Sequence, residues 1–154
     1  MLSAIQIHKH EFAEISLKPN ADLAPGKREG CAVSIRHQFK ASPTNKEETL
    51  WVARLRIEIV PPDNGNTAIY TGVIEVVGQF EIHPDVTKSE RIKYACINGG
   101  ALLFGAAREM TATLSSRSVH GLIELPSIDP RVFLPQEAQS TARKTVKKSA
   151  KSRI

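Results

Sequence analysis

Two histidines one residue apart, His8 and His10, are the first side chains of this 154-residue chain whose types and spacing could do chemistry. Alternate residues of an extended segment share a face, so the pair could supply two corners of a metal site. No third ligand is evident, and the pair reads as solvated strand histidines. Ser115, Ser116 and Ser118 precede His120, the residue types of nucleophilic catalysis. Neither a nucleophile elbow nor an ordered triad surrounds them, so they read as a hydroxyl-rich helix end. Gly99-Gly100 precedes a helix-like stretch whose N-terminus would attract an anion, yet no Lys or Ser/Thr stands in phosphate-loop order. Arg108 and Glu109 are adjacent, point to different sides of a helix, and read as structural ion-pairing groups. Cys31 and Cys96 are too few for a disulfide framework and lack paired metal-ligand spacing; both are expected to be reduced and buried. The chemistry-bearing residues predict no enzyme, no cofactor and no metal.

The elements that would position such residues are mostly strands. Cys31, Val33, Ile35 and Phe39 alternate with Ala32, Ser34, Arg36 and Gln38, and Trp51, Ala53, Leu55, Ile57 and Ile59 alternate with Val52, Arg54, Arg56 and Glu58. This period of two predicts half-buried strands. Pro61-Pro62-Asp63-Asn64-Gly65-Asn66 predicts a turn, because proline cannot donate to a ladder and Asn-Gly favours positive φ. The returning strand, Thr67 to His83, carries Tyr70, Ile74, Val76, Phe80 and Ile82 on one face, with Gly72 and Gly78 leaving room there for a close neighbour. Ala4 to Leu17 predicts a strand with a bulge or kink. Downstream the period changes. Val86 to Tyr94 predicts a short helix capped by Asp85, Asn98-Gly99-Gly100 predicts a break, and Leu103, Ala107, Met110 and Leu114 predict an apolar stripe on a helix from Ala101 to Ser116. Ala101, Gly105 and Ala112 form a second line of small residues, and Val132, Phe133 and Leu134 a last apolar cluster. Strands followed by helices give an α+β class.

Composition sets the outer limits. At 41% hydrophobic and 5% aromatic, the chain can bury one aliphatic core. No apolar run approaches the roughly 20 residues that span a bilayer, and Met1 to Lys9 lacks a signal-type core, so a cytoplasmic location is expected. Arg143, Lys144, Lys147, Lys148, Lys151 and Arg153 follow Pro135 with Glu137 the only acid, while the rest of the chain is neutral. The expected organisation is a domain over 1–134 and a basic, disordered tail over 135–154.

Leu103-Phe104-Gly105-Ala106-Ala107-Arg108-Glu109 resembles the helix-opening Leu-Phe-Pro-x-x-Arg-Glu motif of SecB-type export chaperones. Leu125-Pro126-Ser127-Ile128-Asp129 resembles the turn beyond that helix, Gly78-Gln79-Phe80 a Gly-x-Phe late in the fourth strand, and Glu14-Ile15-Ser16-Leu17 the end of the first. The resemblance runs from about Ile5 to Phe133. It implies a four-stranded antiparallel sheet with a crossover loop, then a long helix and a short C-terminal helix. It also implies an ATP-independent holdase for unfolded polypeptides, a homotetramer built as a dimer of dimers, and clients passed to the Sec translocase motor.

On that resemblance the expected client-binding residues are Leu23, Phe39, Trp51, Val52, Val132, Phe133 and Leu134. The expected assembly residues are Ala101, Gly105 and Ala112 on the helix and Ile74 and Val76 on the sheet. Gly105 stands where the motif has proline, and Lys18 and Val73 stand where motor-docking members often carry acids. A chaperone dedicated to an antitoxin or another single client is the alternative within this class. A nucleic-acid module acting through the basic tail is the alternative outside it.

Overall fold

The alternating segments pair as their periodicity requires. In the computed structural model, which describes residues 3–135, β1 (Ile5–Pro19), β3 (Ser34–Pro43), β4 (Leu50–Val60) and β6 (Tyr70–Ile82) form an antiparallel sheet in the order β1-β6-β4-β3. The crossover from β1 to β3 contains β2 (Cys31–Ala32), which pairs in parallel with β5 (Thr67–Ala68) at the end of the Pro61–Asn66 turn. Neither two-residue strand has a periodicity of its own to announce it.

β1 bulges twice, between Ile7 and Lys9 and between Phe12 and Glu14. The first bulge changes the histidine reading: His8 turns to the outer face, its Nε2 2.8 Å from Glu81 Oε2, while His10 pairs opposite Gly78 on the other face. The two histidines do not share a face. Among the described residues no three His, Cys, Asp or Glu side chains gather to hold a metal ion.

One face of the sheet is dry. Leu55, Ile57, Ile74, Val76 and Ile82 are wholly buried there with Leu103 and Ala107 of the helix above. Gly78 admits that helix: a Cβ at this position would lie 2.7 Å from Leu103 Cδ2. Gly72 admits the backbone of β1 in the same way, its Cβ falling 2.0 Å from the Ser16 carbonyl oxygen.

The helical region departs from the expected break at Asn98-Gly99-Gly100. α1 (Lys88–Lys93) follows Thr87, not Asp85, and runs through a π-helical turn (Tyr94–Gly99) straight into α2 (Gly100–Ser116). Packing overrides local propensity here: Phe133 sits where a Gly100 Cβ would be, 2.3 Å from its ring atom Cδ2, and the Phe80 ring lies against Gly99. Ala95, Gly99, Leu103, Ala107, Thr111 and Ser115, each four residues from the next, are all buried. Met110 and Leu114, expected on the stripe, are only half-buried, and Thr111 and Ser115 take the inner positions. Both hydroxyls bond within reach: Thr111 Oγ1 donates to the Ala107 carbonyl (2.8 Å), and Ser115 Oγ accepts from the Ile123 N–H (2.9 Å). A 3-10 turn (Pro130–Phe133), opened by the Asp129 carboxylate accepting from the Arg131 N–H, stands where a short C-terminal helix was expected. The Arg131 side chain also holds the Asp129 carboxyl below its usual range. The basic tail beyond Pro135 lies outside the described residues.

Candidate functional site

Three surfaces position the residues singled out in the sequence. The first is the crossover loop, 20–30, clamped to the loop after α2. Asn20 anchors its start, with its N–H donating to the Ile69 carbonyl (2.9 Å) and its side-chain amide to the Ala68 carbonyl (2.9 Å). Buried His120 donates from Nε2 to the Asn20 carbonyl (2.8 Å), Tyr70 Oη donates to the Gly121 carbonyl (2.8 Å), and Arg28 donates to the carbonyls of His120 (2.7 Å) and Leu122 (2.8 Å). Leu23 packs beside this clamp against Ile69, Tyr70 and Ile123, while Val119 and Leu122 stay exposed near it. His120 is thus a loop anchor, with Ser115 engaged by Ile123 rather than by the imidazole. Sequence gave no signal for the clamp, because its acceptors are backbone carbonyls.

The second surface surrounds the 3-10 turn. Phe133 lies 4.9 Å from Phe39 and 5.6 Å, edge-on, from His37. Phe133 and Leu134 are buried in the core, Phe39 is half-buried, and Val132 is exposed. Trp51 is elsewhere: buried at the start of β4, its indole N–H donating to the Glu48 carbonyl (2.7 Å). Val52 is on the opposite side of the sheet, paired with Ser42 and Gln79. The structure therefore joins Phe39 to Phe133, places Trp51 in the same core cluster, and separates Leu23 and Val52 from them.

The third surface runs along β1 and α2. Ile7 and Ile15 face the helical side of the sheet yet remain 40% and 45% exposed, and Leu102 of α2 is 44% exposed. The chain's own core leaves them uncovered. Gly105 is open, with nothing within 4 Å of a Cβ there, and Ala101 and Ala112 are half-buried; Ile74 and Val76 lie wholly buried beneath the helix. Cys96 is buried in the π-helical turn, where burial pushes its thiol up to about 11; Cys31, expected to be buried, is half-exposed in the crossover.

The outer face of the sheet is ionic. Glu75, 9% exposed, receives both Arg54 and Arg56, and Arg56 also meets Glu14 and Glu58. Those carboxylates raise the Arg56 guanidinium above its ordinary value, the bond to Glu14 most of all. Glu75 is thereby compensated by charge-assisted hydrogen bonds. Lys18 and Val73 share this face. Nothing in the four surfaces assembles a nucleophile with its base, and among the described residues no helix is long and apolar enough to cross a membrane.

No protein-family model and no curated protein sequence matches the chain. Solved structures do. A SecB-like chaperone of Mycobacterium tuberculosis, Rv1957, solved with a ChAD peptide from the antitoxin HigA1, superposes with a TM-score of 0.54 at 17% identity, covering 80% of this chain and 90% of that one. A Streptococcus agalactiae protein of unknown function is similar over 80% of this chain and 97% of its own at 7% identity and a TM-score of 0.48. The antiparallel sheet, the crossover and the long helix give this chain the fold of a SecB-like chaperone.

Proposed function

We infer that this chain is an ATP-independent holdase that binds non-native polypeptides. The observation that carries the reading is the fold shared with a SecB-like chaperone over 80% of the chain. The apolar side chains left uncovered away from the β1 and α2 surface, Val119, Leu122 and Val132, agree with it, since a holdase needs exposed apolar surface on a folded scaffold. Unfolded chains would bind by summed apolar burial, worth about 25 cal/mol per Å² before the cost of ordering the client. Leu23, Phe39, Val52 and Val132 offer contact area in the free chain; Trp51, Phe133 and Leu134 act from the core, holding the surfaces that carry it. Assembly into a tetramer would cover the β1 and α2 surface through Ala101, Gly105 and Ala112. The location is the cytoplasm, and the clients include precursors for export.

A chaperone dedicated to one client, such as an antitoxin, is the second reading. It is favoured by the HigA1 peptide bound to the Mycobacterium tuberculosis protein and by Lys18 and Val73, which weaken the case for motor docking. The test is the aggregation of a chemically unfolded protein, followed by light scattering at moderate salt without ATP. The full chain and a chain ending at Leu134 should both delay it at about one oligomer per client. An unchanged aggregation rate with either form would overturn the holdase reading.

A further inference from the structure

The sequence holds two Asn-Gly pairs, Asn64-Gly65 and Asn98-Gly99, and the fold treats them oppositely. In such a pair the backbone nitrogen of the glycine reaches the asparagine side-chain carbon with least obstruction, because glycine has no Cβ. Asn98-Gly99 lies inside the helical region, with Gly99 buried against Phe80 in helical backbone at φ −61° and ψ −45°. Helical side chains lean toward the N-terminus, away from the nitrogen that follows them. Asn64-Gly65 is the tip of the turn between β4 and β5, and both residues are exposed. Gly65 has φ 78° and nothing within 4 Å of where its Cβ would stand. Asn64 Oδ1 accepts from the Asn66 N–H (3.2 Å), which folds the carboxamide back over the Gly65 peptide. The same bond polarises the Asn64 side-chain carbonyl and meets the negative charge that attack on Cγ would build on Oδ1.

The segment just beyond the turn carries both ends of the crossover. At its start, the Asn20 N–H donates to the Ile69 carbonyl and the Asn20 side-chain amide to the Ala68 carbonyl. At its end, the Thr67 N–H donates to the Gly30 carbonyl (2.8 Å), and β2 pairs with β5. Between these anchors Leu23 packs against Ile69 and Tyr70. β5 is two residues long, so it offers almost no ladder to absorb a change of backbone length three positions earlier.

We propose that Asn64 is a self-modification site, at which the Gly65 nitrogen attacks Asn64 Cγ and the resulting deamidation releases the crossover. The Gly65 N–H gives its proton to water or hydroxide, the N–Cγ bond forms, and the carboxamide nitrogen leaves as ammonia with a proton from solvent. One water then opens the succinimide. Opening at Cγ gives aspartate; opening at the main-chain carbonyl gives isoaspartate, whose backbone runs through Cβ and Cγ and is one carbon longer. Either product adds a carboxylate beside Asp63, and the isoaspartate also lengthens the turn that sets residues 67–69. The site does not depend on the holdase reading, so its mass readout and the aggregation assay fail separately.

The full-length protein is aged in mildly alkaline buffer, folded or in urea, and its peptides are followed by mass spectrometry with electron-transfer fragmentation, which separates isoaspartate from aspartate. In the folded protein Asn64 should convert about tenfold or more faster than Asn98, whose reacting atoms are held apart. The gap should close in urea, where both pairs are equally free. Trypsin then reports the crossover at Lys27 and at Arg28, whose guanidinium is held by the His120 and Leu122 carbonyls. Cleavage there should be faster in aged than in fresh protein, while aged and fresh Asn64→Gln protein cleave alike. Equal conversion of the two asparagines in the folded protein would overturn the proposal. So would slower conversion of Asn64 folded than in urea, or unchanged crossover cleavage in protein whose turn has converted.

Discussion

The two faces of the same four-stranded sheet are held by different forces. On the helical face, Gly78 and Gly100 let Leu103 and Phe133 close onto neighbours within the reach of a methyl group, and the neighbouring side chains are apolar and dry. On the outer face, Glu75 anchors a cluster of arginines and glutamates in partial contact with water. Close packing tolerates almost no change of volume, whereas an exposed ionic cluster gives up its partners singly and responds to salt. The contrast predicts that stability is concentrated on one side of the sheet and adaptability on the other.

Removing volume from the dry face should have the largest effect. Leu103→Ala is expected to cost about 3 kcal/mol, read as a lower urea midpoint with no dependence on salt. A loss below about 1 kcal/mol would mean the helix is seated less tightly than Gly78 suggests. The Cys96 thiol probes the same side through pH. Burial raises its pKa to about 11 from an ordinary 9.0, so the folded state prefers the neutral thiol. Its contribution is complete below pH 9.0 and is lost as pH climbs toward 11, about 3 kcal/mol in all. Denaturation measured across that range should show the slope in the parent and lose it in Cys96→Ala.

On the ionic face the effects shrink. Glu75→Gln should cost about 1 kcal/mol, since Arg56 keeps Glu14 and Glu58, and the difference should narrow in concentrated salt. A salt-independent loss would mean Glu75 acts by packing. The smallest effect is a gain. Gly105→Ala fills open space in a helix interior and should raise stability by about 0.5–1 kcal/mol. If a second copy packs against Gly105, the gain disappears and the oligomer loosens, which sizing by light scattering would report.

Much of the sheet was legible because alternation is a local signal. Leu55 and Ile57 announce their face from their neighbours alone, and Gly72 and Gly78 marked the close approaches that the structure makes. What depends on distant contacts was not legible. The helix continues through Asn98-Gly99-Gly100 because Phe80 and Phe133 close over the glycines. A bulge or kink was expected in Ala4 to Leu17, but not that the extra residue would be His8, which puts His8 and His10 on opposite faces. Of the candidate site, the pairing of Phe39 with Phe133 follows from a turn more than 90 residues downstream of Phe39, and the exposure of Ile7 and Ile15 follows from how far α2 extends over β1. Trp51 shows the limit most plainly: an aromatic at a strand start reads the same whether the fold covers it or not.

The buried residues spaced by four along the helix carry a geometric consequence. An α-helix turns about 100° per residue, so each step of four overshoots a full turn by about 40°. From Leu103 to Ser115 the buried line therefore winds about 120° around the helix. One end of α2 looks down onto the sheet at Gly78, and the other looks sideways at Ile123. The helix is a twisted strap rather than a lid, fastened at separate bearings to two parts of the chain. The loop that carries Ile123, and with it the clamp on the crossover, therefore bears on a side of the helix different from the one that covers the sheet.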